Sequence, residues 1–159
     1  MFEDGVFFDT PLDVKSLEAY HSKVLLPSAK MLIFEIYATP PQKQTQFSRH
    51  GAYDPSKLDK QQIIWQIRPQ APKEPLKGAI AMELFFYRKI PVQTKPILRS
   101  QMITGVARPT TRPDIDNLAY LVTNALKGIV YLDDAQIVTL HLEKLYSENP
   151  RTVIKVREV

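Results

Sequence analysis

The stretch DIDNLAYLVTNALKGIVYLDDAQIVTLHLEKL, Asp114–Leu145, carries two different periodicities in succession. Leu118, Leu121, Val122, Ala125 and Leu126 recur three and four residues apart, which predicts an amphipathic helix over Asp116–Lys127. Gly128 follows where a helix C-terminus favours a residue free to take positive φ. Beyond Asp133-Asp134 the period changes to two. Ile137, Thr139, His141, Glu143 and Leu145 fall on one side, and the more apolar Val138, Leu140 and Leu142, with Lys144, on the other. A helix leading straight into a strand points to a domain that mixes the two.

The flanking sequence supplies the remaining layers. Lys30–Tyr37 (KMLIFEIY) and Gly78–Tyr87 (GAIAMELFFY) are rich in β-branched and aromatic residues and read as strands, the second of them buried. Asn149-Pro150-Arg151 turns the chain, and Thr152–Val156 is expected to complete a hairpin with the strand before it. Asp54-Pro55-Ser56 opens a second helix with an apolar stripe of Leu58, Ile63, Ile64 and Ile67, closed by Pro69 and Pro72. Between Arg88 and Arg112 there are six Lys/Arg, no acid and no clear period, so this segment is expected to be mostly loop. Residues 1–29 read as a separate helical arm or cap, with a helix over Val14–Val24 ended by Pro27. The expected fold is α+β: one domain over residues 30–159, with a mixed sheet of about four strands and two main helices.

Composition narrows the chemistry. The 159 residues are 44% hydrophobic and 24% charged, as in soluble globular proteins. Cysteine is absent, which excludes disulfides, iron–sulfur clusters, thiolate zinc sites and thiol catalysis. A cytoplasmic setting is expected, since no run approaches the ~20 apolar residues of a membrane span and MFEDGVFFDT lacks the basic start of a signal peptide. The net charge of +4 favours a polyanionic partner. The three histidines are too scattered for a metal motif.

Against that basic background the acids are placed selectively. Glu83 is the last acid before Asp114, and none lies between Asp116 and Asp133. The bland account makes Asp116 a helix N-cap and Asp133-Asp134 an ordinary turn. The alternative is that the return segment brings these carboxylates together near the helix start. Clustered carboxylates repel, and a divalent cation relieves the repulsion. All-oxygen ligands suit Mg²⁺ or Mn²⁺ rather than Zn²⁺, and carboxylate-held Mg²⁺ commonly completes its shell with phosphate oxygens. Basic segments alongside would hold a nucleic-acid backbone. From the residues alone this points to metal-dependent phosphoryl chemistry, on nucleic acid or on nucleotides.

Three elements in order carry a more specific signal. Arg112-Pro113-Asp114-Ile115-Asp116-Asn117-Leu118, then Asn124-Ala125-Leu126, then Asp133-Asp134-Ala135-Gln136-Ile137-Val138 resemble the RusA family of Holliday junction resolvases, over roughly Met31–Val156. The resemblance implies a homodimer that cuts branched DNA with paired symmetric nicks, using Mg²⁺ with Mn²⁺ as an alternative. It implies a prokaryotic or phage-encoded protein. It places the catalytic, metal-holding aspartates at Asp114, Asp116 and Asp134, with Asp133, Asn117 and Tyr120 as supporting positions. Lys43, Arg49, Arg99, Arg108 and Arg112 are the candidate DNA contacts.

The chain departs from the family pattern at three positions. Tyr120 stands where the family commonly has a lysine needed for activity, Asn124 where it has aspartate, and Thr45 where arginine is usual. Tyrosine donates a hydrogen bond but brings no positive charge at neutral pH. The alternative function is therefore a RusA-like module that binds branched DNA and cuts weakly or not at all.

Overall fold

The computed structural model describes residues 30–37, 46–48, 51–53 and 56–159. The expected arm at residues 1–29, together with Lys43, Arg49 and His50, lies outside these. The described elements are β1 (Leu32–Ile36), β2 (Gln46–Ser48), β3 (Gly51–Tyr53), α1 (Ser56–Ile67), β4 (Ile80–Lys89), α2 (Pro96–Ile103), α3 (Ile115–Leu126), β5 (Ile137–Ser147) and β6 (Arg151–Glu158). The architecture is α+β, with a four-stranded mixed sheet in the order β1-β6-β4-β5. β6 runs antiparallel to both β1 and β4, and β5 runs parallel to β4.

One face of the sheet makes the core. Along β4, Ile80, Met82, Leu84 and Phe86 are buried, while Glu83, Phe85 and Tyr87 on the opposite face are half-buried. The inward side meets Phe34 and Ile36 of β1, Ile154 and Val156 of β6, Ile63 and Ile67 of α1, and the apolar stripe of α3. All five stripe residues predicted for α3 are buried. Each of its Leu and Val side chains contributes roughly 1.5–3 kcal/mol on full burial. α3 is therefore held rigidly to the sheet, and the acids at its ends inherit that rigidity. On the outer face Arg151 lies over the Tyr87 ring at 4.2 Å, and Lys155 pairs with Glu83 at 3.4 Å.

The structure corrects four expectations. β5 and β6 do not pair with each other, because β4 lies between them. The strand that is buried most along its length takes the interior position, and the more exposed β5 takes an edge. A third helix, α2, occupies part of the predicted loop. Pro96 at its first turn suits a helix start. It buries only Met102, so it shows no apolar stripe, and Arg99 ties it to Glu148 beyond β5 at 2.7 Å. β2 and β3 form a short antiparallel hairpin within the predicted loop after Pro41, pairing Gln46 with Tyr53. In α1, Ile63 and Ile67 are buried, but Leu58 is 70% exposed because it precedes the turn that meets α3 and the sheet.

Candidate active site

The first acid pair opens α3. Asp114 is the N-cap, in extended conformation, and its carbonyl accepts from the Leu118 N–H at 3.2 Å. Its carboxylate makes no capping hydrogen bond. The helix start therefore sits two residues earlier than the cap-and-turn account placed it. Asp114 and Asp116 are both exposed, and Asn117 beside them is half-buried. Both carboxylates sit at the positive end of the helix dipole without being consumed by it.

The edge strand β5 holds the segment that leads into this pair. Lys144 donates to the carbonyls of Thr111 at 2.8 Å and Pro113 at 3.0 Å, which clamps the segment entering α3. The neighbouring Glu143 accepts from Arg108 at 2.7 Å, while Arg108 also donates to the Gly105 carbonyl at 2.8 Å. With Arg108 beside it, and then His141, Glu143 is held below the usual carboxylate range. Neither role was legible beforehand, since only the fold brings β5 beside residues 105–113.

The second pair sits at the opposite end of α3. Lys127, the C-cap, reaches Asp133 Oδ2 at 2.7 Å and Asp134 Oδ1 at 3.2 Å. Asp133 Oδ1 accepts from the Ala135 N–H at 2.9 Å. Lys127 first, and then that N–H, lower the Asp133 carboxyl to about 2. Both of its oxygens are thus engaged, one by the turn and one by the lysine, whereas Asp134 meets the same lysine through Oδ1. The lysine is in turn held in its charged form by Asp133 and then Asp134.

Two anchors fix this turn, the half-buried Gln136 and the buried Tyr131. Gln136 donates to the carbonyls of Leu76 at 3.0 Å and Gly78 at 2.9 Å, and its carbonyl accepts from the Asp133 N–H at 2.8 Å. This explains why a glutamine follows the adjacent aspartates: it fastens their turn to the chain entering β4. Tyr131 is fully buried and donates from its hydroxyl to the Thr123 carbonyl at 2.7 Å, tying the turn to α3. Burial, followed by the charges of Asp134 and Asp133, raises its pKa. Gly128 takes φ of +76° and lets the chain reverse between the two. Gln136→Ala removes three hydrogen bonds and is expected to cost about 1–3 kcal/mol of stability. A denaturant titration beside wild type checks this, and an unchanged midpoint would mean the turn is held by other contacts.

Within one chain the four aspartates do not converge. Twelve residues of α3 span about 18 Å, with Asp114 and Asp116 at one end and Asp133 and Asp134 at the other. Among the described residues, no group of three or more His, Asp or Glu side chains is placed to hold a metal ion. The carboxylate chemistry of each pair still suits Mg²⁺, which is commonly bound by one or two carboxylates plus phosphate oxygens.

The other predicted residues fall around this frame. Tyr120 is 53% exposed on α3, and Asn124 donates to its carbonyl at 2.8 Å. Arg99 and Arg108 are paired with Glu148 and Glu143. Arg112 is exposed and, among the described residues, forms no ion pair. Glu83 pairs with Lys155 on the outer face of the sheet, away from α3. No described helix is long and apolar enough to cross a membrane.

The family model for endodeoxyribonuclease RusA matches residues 38–157, and the chain belongs to that family of Holliday junction resolving endonucleases. The uncharacterized protein YqaN of Bacillus subtilis (strain 168) is 36% identical over 106 residues, covering 65% of this chain and 75% of its own.

Proposed function

We propose that this protein is a Mg²⁺-dependent, structure-selective endodeoxyribonuclease that resolves four-way DNA junctions by paired nicks, acting as a homodimer. The observation that carries this is the Asp114 carboxylate, exposed at a helix N-cap and not used for capping. A carboxylate in that position is available to a cation, and a purely structural N-cap would be expected to bond the first-turn amides. Asp114, Asp116 and Asp134 are the metal-holding set, and Mn²⁺ is an alternative ion. When bound, the metal supplies charge neutralisation at the attacked phosphate and at the leaving oxygen.

The separation of the two acid pairs supports the homodimer. A two-fold axis can place Asp114 and Asp116 of one copy beside Asp134 of the other. An isologous interface then makes two such sites at once, which suits two symmetric nicks. Leu132, Val138 and Leu140 are 52%, 63% and 43% exposed next to the second acid pair, on the edge strand β5 and the segment leading to it. They are apolar surface that a second copy would cover. Arg112, exposed immediately before Pro113-Asp114, is the proposed phosphate contact, and Lys43 and Arg49 are proposed to extend that contact along the DNA arms.

The testing experiment is cleavage of a labelled four-way junction with Mg²⁺, with Mn²⁺ and with EDTA, using linear duplex as control. Symmetric metal-dependent nicks are expected. Tight junction binding without nicks in either metal would replace this reading by a branched-DNA-binding module, for which Tyr120 and Asn124 are the motive. Tyr120→Lys separates the two further: a large gain in rate means the site is otherwise competent. The composite site has its own test. Asp116→Asn and Asp134→Asn chains, each inactive alone, are expected to regain nicking when mixed, because one site of the mixed dimer is then intact. No recovery, with mixed dimers demonstrated, would mean each chain carries its own complete site.

A further inference from the structure

We infer that Lys127 is an internal counter-ion of the Asp133–Asp134 pair, which occupies the place of the divalent cation and sets how tightly the DNA-free protein binds it. This rests on the metal reading proposed above and adds a residue to it. The chain lacks the family lysine at Tyr120, and Lys127 is seven residues further on, about two helical turns along the same side of α3.

Three features make Lys127 more than a chance surface contact. First, one ammonium meets both aspartates, at 2.7 and 3.2 Å. Second, its backbone is pinned. Its N–H donates to the Thr123 carbonyl at 3.2 Å, the next residue's N–H donates to the Tyr131 carbonyl at 2.6 Å, and Lys127 forms a β-bridge with Tyr131. Tyr131 is itself fastened to α3 through the Thr123 carbonyl. Third, the partners are pinned as well, Asp133 by Ala135 and Gln136. The ammonium and the two carboxylates therefore meet without a long search, which lowers the entropy cost that weakens ordinary surface pairs. All three side chains remain solvent-accessible, at 42%, 50% and 42%, so an ion from solution can reach them.

A divalent cation at Asp134 has to displace or repel that ammonium, because two positive groups cannot share the same carboxylate oxygen without cost. Lys127 thus acts through Asp134 and is a positioning residue. A neutral side chain at 127 removes the competitor and leaves two carboxylates whose mutual repulsion a metal relieves. Both effects tighten binding. A lysine that merely held the turn in shape would do the opposite, since its loss would loosen the ligands.

The experiment measures Mn²⁺ binding to the full-length protein without DNA, by calorimetry or by the EPR signal of free Mn²⁺. It compares wild type, Lys127→Met, Lys127→Arg and Asp134→Asn, with thermal unfolding to confirm each fold. Lys127→Met is expected to bind Mn²⁺ about five- to thirtyfold more tightly. Lys127→Arg is expected to remain within about twofold of wild type, since the charge is kept. Asp134→Asn is expected to bind more weakly. Unchanged or weakened binding in a folded Lys127→Met protein, with Asp134→Asn still weakened, would overturn this inference and leave the metal site standing. Wild type that binds no Mn²⁺, alone or with a junction present, would overturn both.

Discussion

Asp116→Asn is expected to lower junction cleavage by about a thousandfold or more while leaving junction binding unchanged or tighter. The first part follows if Asp116 is removed as an anionic ligand of the proposed metal site, whose contribution would be several kcal/mol of charge stabilisation, at about tenfold in rate per 1.4 kcal/mol. The second follows because Asp116 is exposed, so that at the proposed site losing its charge removes a repulsion toward phosphate. Asp116 also lies in the first turn of α3, where a carboxylate favours the helix dipole, so a small loss of stability is expected beside these effects. Single-turnover cleavage and gel-shift binding on the same preparation separate the two. Binding lost together with the fold would return Asp116 to a helix-stabilising role and nothing more.

Tyr131→Ala is expected to cost about 3–5 kcal/mol of stability, the range for emptying a large aromatic from a packed core. Tyr131 is fully buried, and its hydroxyl satisfies the Thr123 carbonyl inside α3. Tyr131→Phe removes only that hydrogen bond and is expected to cost about 1 kcal/mol, since the carbonyl retains the Lys127 N–H as a donor. The two variants together tell packing from hydrogen bonding. Because the same residue ties the Asp133–Asp134 turn to the helix, Tyr131→Ala is also expected to reduce cleavage below the level its residual folded fraction accounts for. Chemical denaturation of both variants, read beside cleavage under conditions where each is folded, checks this. Equal small losses in the two would mean that the core closes over the vacancy and that the turn is held by Gln136 alone.

Much of this protein was written locally in its sequence. The α3 stripe, the Gly128 stop, the strands over Leu32–Ile36 and Ile80–Lys89 and the family motif were legible because each depends on neighbours a few residues apart. Periodicity reports which face is buried, and α3 and β4 have strongly one-sided faces. Helix α2 left no such trace, because it buries a single residue and is held by an ion pair to Glu148, 49 positions away. The position of β4 between β5 and β6 was hidden for a similar reason. Strand order is set by which strand buries most surface, and the turn joining β5 to β6 says nothing about what lies between them.

The candidate site divides along the same line. Sequence alone singled out the four aspartates as candidates, by their placement in an otherwise basic stretch, and the family motif picked Asp114, Asp116 and Asp134 among them. Only tertiary structure decided what holds them and how far apart they stand. Lys144 reaches the entry to α3 from 31 and 33 residues away, and Gln136 reaches Leu76 and Gly78 from 60 and 58. Lys127 was placed in sequence as the end of a helix, and the fold gives it two carboxylates. The length of α3 then separates the two acid pairs within one chain, a distance that no spacing of letters reveals until the helix is docked on its sheet.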